Sequence, residues 1–225
     1  MNTKEIASKI EQNSQSVIDN INVESIAYYS FLRTEFEKSN ITENHVFQLV
    51  ARRFFGFDNV GFNNQFKTEY FKLFEKYRNV PTIDIESVFV DLHIKTNIQG
   101  NDSLIFSFAT KLASVVKDTM PIYDLEVCKV FSFENPDNPD FGVTSDYLVN
   151  YFEIIKDSYS EIINSDLLPK TINLFDEKFK SNNLSMVKKL DFIIWSTGNL
   201  NLLNTANSNY CASNSHKKKR AKKPI

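Results

Sequence analysis

The sequence predicts an all-α protein, and three observations carry that prediction. Apolar residues recur at helical spacing along most of the 225 residues. Glycine and proline, the strongest chain breakers, number only 5 and 6. Hydrophobic residues make up 42% of the chain, enough to bury a substantial core at this length. The expected architecture is one compact helical domain over residues 1–198. It is divisible into lobes 1–81 and 82–198 with a cleft between them, and a tail, 199–225, follows. Phe (20 copies), Asn, Lys and Ile are all abundant, as an AT-rich coding sequence would produce, so no single Phe or Asn is given weight.

Taken in order, Ile6, Ile10, Val17 and Ile18 mark a first amphipathic helix. Ile26, Tyr29, Phe31, Leu32 and Phe36 mark a second over about 23–39. Thr42 is the expected N-cap of a third, ITENHVFQLVARRFF, which Gly56 ends. FDNVGFNN reads as a loop. Phe66, Tyr70, Leu73, Phe74 and Tyr77 restore the helical period over 65–77, and Pro81 closes the first half. A helix over about 84–95 follows and breaks at Gly100 and Asn101, after which Asp102 or Ser103 can cap the next, about 104–117. Pro121 stops the chain there, and Asp124 stands where a helix cap or first-turn acid would stand. NPDNPDFG, 135–142, is a loop. Three further helices are expected over about 144–163, 169–180 and 184–197, the last ended by Gly198. The remainder, NLNLLNTANSNYCASNSHKKKRAKKPI, is rich in Asn and Ser and then basic, and reads as a disordered tail.

Charge and special residues exclude several classes. The formal net charge is −2, but KKKRAKK near the C-terminus holds six basic residues. Without them 20 basic residues face 28 acidic ones, so the body carries about −8, which disfavours a broad, non-specific nucleic-acid binder. Cys128 and Cys211 are far apart and fit neither a metal spacing nor a disulfide framework, so a reducing, cytoplasmic setting is expected. The three histidines are scattered, and no metal or other cofactor is expected. The start, MNTKEIASKIEQ, is too polar for a secretory signal, and no apolar run reaches the length of a membrane span.

One segment points to chemistry. FSFATKLASVVKDTMPIYDLEVCKV, 106–130, places Lys111 on an apolar helix among Phe108, Leu112 and Val115. Asp124 follows thirteen positions later at a helix start. A desolvated lysine has a lowered pKa and can act as a nucleophile. A neighbouring carboxylate can activate water or stabilise a sugar cation, and amine plus carboxylate suffice to cleave an N-glycosidic bond through a Schiff base. The bland alternative is a lysine that extends its ammonium to water and an aspartate that only caps a helix.

FATK, then PIYD, then LEVCKVF resembles the core of the helix-hairpin-helix DNA glycosylases, in particular short bacterial members of the 8-oxoguanine glycosylase branch. The resemblance implies a helical fold, DNA as partner and excision of a damaged or modified base. It assigns Lys111 as the nucleophile and Asp124 as its electrostatic partner. It covers about 25 residues. SLIFSFAT, which takes the place of the family's hairpin, lacks that hairpin's glycines, and the Lys111–Asp124 spacing is short for the family. The runner-up expectation is a non-catalytic helical interaction protein, of a mobile element or defence locus, whose partner is another protein.

Other residues are weaker candidates. Arg52 and Arg53 could contact phosphate or merely offset a helix dipole. The run Phe66, Tyr70, Phe71, Phe74 and Tyr77 could stack on bases, but helical spacing favours core. Trp195 could line a base pocket or close the core. His93 could serve as an acid or base. Lys217, Lys218, Lys219 and Arg220 in the tail could bind nucleic acid, bind a membrane surface, act as an address signal, or only solvate the chain.

Overall fold

A computed structural model describes residues 2–96, 101–136, 138, 140–180 and 182–203. Twelve helices form among them and no strand does: α1 (Thr3–Gln12), α2 (Ser14–Asp19), α3 (Val23–Lys38), α4 (His45–Phe55), α5 (Phe57–Val60), α6 (Asn64–Tyr77), α7 (Ile85–Thr96), α8 (Asp102–Val116), α9 (Leu125–Phe131), α10 (Phe141–Asn164), α11 (Pro169–Lys178) and α12 (Met186–Asn199). The all-α expectation holds.

The caps show why these boundaries fall where they do. Asparagine side chains at Asn2, Asn22, Asn44 and Asn63 accept backbone N–H groups in the first turns of α1, α3, α4 and α6. The expected cap at Thr42 is therefore corrected to Asn44, whose side chain reaches the Phe47 N–H at 2.9 Å. The single first helix is two, broken at Asn13. Gly56 ends α4 in the left-handed conformation at φ 76°, as expected, but the loop behind it contains the short helix α5. Asp140 caps α10, which begins at Phe141, three residues before the expected start at about 144. Asn101 takes the N-cap position of α8, and Gly100 lies outside the described residues. So does the tail beyond Leu203.

A single apolar core runs through both halves of the chain. Phe57, Phe62, Phe66, Tyr70, Phe71 and Phe74 are all buried and interlock with Phe108 of α8, so this aromatic run is core rather than a stacking platform. The α8 helix touches α3, α6, α7 and α10. Every residue from Ile105 to Val116 is buried except Lys111, as expected of a central helix surrounded by others. Polar side chains tie distant segments together. Glu11 of α1 accepts the Lys170 and Thr171 N–H groups at 2.7 and 3.1 Å and so caps α11, which has no cap of its own.

The crossing of α9 and α12 involves Gly198, which was expected to end α12. It instead lies inside that helix, and a β-carbon there would fall 2.0 Å from the Glu126 carbonyl oxygen in α9. The missing side chain lets two backbones meet.

Candidate active site

One cavity of about 490 Å³ gathers residues from both halves of the chain. Its walls include Asn22, Ser25 and Tyr29 near the start of α3, Arg53 and Phe54 at the end of α4, and Lys111 of α8. Asp124 before α9, and Lys188, Asp191, Phe192 and Trp195 of α12, complete them. Its size lies within the range of small-ligand sites. Lys111 and Asp124, separated in sequence, thus line the same concavity.

The backbone ties between them are direct. Thr110, the neighbour of Lys111, is fully buried, and its hydroxyl accepts the Tyr123 N–H at 3.1 Å. The same oxygen lies 3.0 Å from the Ser107 carbonyl and 3.2 Å from the Tyr123 carbonyl, either of which can take its proton. Tyr123 in turn precedes Asp124. Asp124 caps α9 through one oxygen, Oδ1, which accepts the Glu126 and Val127 N–H groups at 3.0 and 3.1 Å. Its Oδ2 makes no hydrogen bond among the described residues, so capping leaves half of the carboxylate available.

Lys111 is half-buried, with its ammonium 4.9 Å from the centre of the Phe108 ring. It makes no ion pair within 4.0 Å among the described residues. Burial pulls its pKa below the ordinary lysine value, and the Asp124 charge pulls it partly back. This raises the share of free amine, the nucleophilic form, at neutral pH.

The remaining candidates separate. Arg53 and Trp195 line the cavity, Trp195 with 39% of its surface exposed. Arg52 turns away and pairs with Asp58 at 2.9 Å. His93, close to Lys111 in sequence, is not among the cavity residues. It lies 3.1 Å from Asp102 at the start of α8, with its ring 3.9 Å from that of Phe141, so it stands apart from the cavity that Lys111 lines. Lys217, Lys218, Lys219 and Arg220 lie outside the described residues. The stretch 103–110, assigned to a hairpin by the family resemblance, forms the first turns of α8 and contains no turn.

A second lysine–aspartate pair was not anticipated. Lys188 and Asp191 are 1% and 6% exposed and meet at 2.5 Å in the cavity wall. Burial pulls the Lys188 ammonium down and pushes the Asp191 carboxyl up, each opposed by the partner's charge. A signal was present in the sequence, because Lys188, Asp191, Ile194 and Gly198 fall on one helical stripe. No family model, curated protein or solved structure matches this chain.

Proposed function

We infer that the protein acts on nucleotides in DNA, cleaving an N-glycosidic bond through a covalent lysine intermediate. The supporting observation is that a partly desolvated Lys111, with no ion pair among the described residues, and an Asp124 carboxylate that caps α9 through Oδ1 alone share one cavity. Its aromatic walls, Phe54, Phe192 and Trp195, suit a base turned out of its stack. In this reading the Lys111 amine attacks C1′ and the glycosidic bond breaks, its electron pair leaving with the base. The Asp124 carboxylate stabilises the cationic sugar as charge develops. One proton of the attached nitrogen passes to the departed base, and its lone pair then breaks the C1′–O4′ bond, the second proton going to O4′, to give the imine.

Borohydride converts such an imine to a stable secondary amine, so trapping tests the reading. A panel of duplexes carrying oxidised, alkylated and deaminated bases and abasic sites should include one that yields a protein–DNA adduct. Lys111→Gln should abolish that adduct while leaving the helical signal unchanged. Absence of an adduct on every duplex would sink the enzyme reading. The alternative, a non-catalytic helical module that binds another protein, is favoured by one observation: the nine residues before Lys111, 102–110, are continuous helix and offer no turn whose backbone N–H groups could meet a DNA phosphate.

A further inference from the structure

The eight residues 117–124 link α8 to α9 and end at Asp124, and α12 grips this linker along its length. The Ser185 hydroxyl donates to the Asp118 carbonyl at 2.9 Å. Lys188 Nζ donates to the Met120 carbonyl at 2.5 Å. Asp191 Oδ1 accepts the Ile122 N–H at 3.0 Å, and beyond the linker Gly198 lies against the Glu126 backbone. The contacts advance by two residues along the linker for every three from Ser185 to Asp191. The ion pair at the centre is itself held in place. The Tyr159 hydroxyl donates to Asp191 Oδ1 at 3.1 Å, and the Tyr29 ring lies 5.7 Å from the Lys188 ammonium.

We propose that Lys188 and Asp191 are positioning residues: a buried ion pair on α12 that fixes the 117–124 linker and thereby sets Asp124 against Lys111. The ion pair has a large desolvation cost, and apolar residues of similar volume would serve stability as well. What apolar residues could not do is hold the Met120 carbonyl and the Ile122 N–H, two groups four and two residues from Asp124. The proposal rests on the reading of Lys111 and Asp124 as one site, but not on its DNA chemistry.

The test follows the Lys111 amine directly, by reductive methylation with formaldehyde and cyanoborohydride across a pH series, read by peptide mass spectrometry. Arg53, Asp124, Lys188 and Asp191 are the charged side chains that line the cavity with Lys111, and Asp124 is the one whose charge acts on it. Asp124→Asn should lower the labelling midpoint of Lys111. Lys188→Met/Asp191→Leu should lower it in the same direction, and adding Asp124→Asn to that pair should change little more. Lys188→Gln/Asp191→Asn, which keeps a donor for Met120 and an acceptor for Ile122, should restore the wild-type midpoint. A midpoint unmoved by Lys188→Met/Asp191→Leu but lowered by Asp124→Asn would overturn the clamp alone. A midpoint unmoved by Asp124→Asn would overturn the shared site and the clamp with it. A further measurement needs no variant: the Ile122 amide of the wild-type protein should exchange its hydrogen only through global unfolding. Rapid exchange there would refute a fixed linker.

Discussion

Lys111 interrupts an otherwise buried run, and its environment fixes the sign of a pH effect. Its folded pKa lies below the unfolded value, so between the two the unfolded chain binds more protons. Stability from this group therefore rises with pH through that window and is complete above the ordinary lysine value of about 10.4. Urea unfolding at a series of pH values should show Lys111→Met more stable than wild type near neutrality, with the difference shrinking as pH rises. A difference that is flat with pH would mean Lys111 is fully solvated. Asp124 offers a complementary separation of roles. Asp124→Ala should cost about 1 kcal/mol, because two first-turn N–H groups lose their acceptor. Asp124→Asn retains a good cap and should leave denaturant stability nearly unchanged while suppressing any adduct. Equal destabilisation by both variants would reduce Asp124 to an electrostatic cap. The two residues could be singled out in the sequence because a cation on an apolar helix breaks a local rule and an acid three residues after Pro121 marks a helix start. The Lys188–Asp191 pair breaks the same rule but went unread, since charges three apart on a helix are usually solvated.

At the level of elements, the α9–α12 crossing determines how α9 and its cap are held. Gly198→Ala would drive a β-carbon into the Glu126 carbonyl, which is backbone and cannot swing aside. Overpacking of this kind should cost about 2–3 kcal/mol. For a chain of this size that corresponds to a fall in Tm of roughly 5–10 °C, measurable by calorimetry. An unchanged Tm would mean the helices separate without penalty. Gly198 also shows where pattern reading fails: a glycine near a helix end suggests termination, while a glycine demanded by a crossing depends on a partner 72 residues away. Asparagine gives the opposite lesson. Its abundance led to its being discounted, yet Asn2, Asn22, Asn44 and Asn63 each cap a helix, and the local cap preference was available to read.

For the molecule as a whole, charge governs how DNA would be met. An acidic body with six basic residues concentrated near one end should bind weakly and non-specifically through that end. Deleting residues 205–225 should weaken duplex association and flatten its salt dependence by about one unit of log–log slope per phosphate released. Fluorescence anisotropy at several salt concentrations checks this, and an unchanged slope would remove the basic segment from DNA contact. The helical class and most helix positions were readable because apolar periodicity is a local signal. A cleft between the halves was an expectation, but which helices would face it was not readable, because no local pattern says which helix faces which.

The grip of α12 on the 117–124 linker also implies an order of events. Chains are made from the N-terminus, so Lys111 and Asp124 exist as residues well before α12 does. Until residues 185–198 have been synthesised and have docked, the linker lacks most of its anchors and the acid has no fixed place beside the amine. The proposed pair would be inert during translation. A premature stop after Asp124 but before Ser185 would yield a chain that carries both residues but never completes the site.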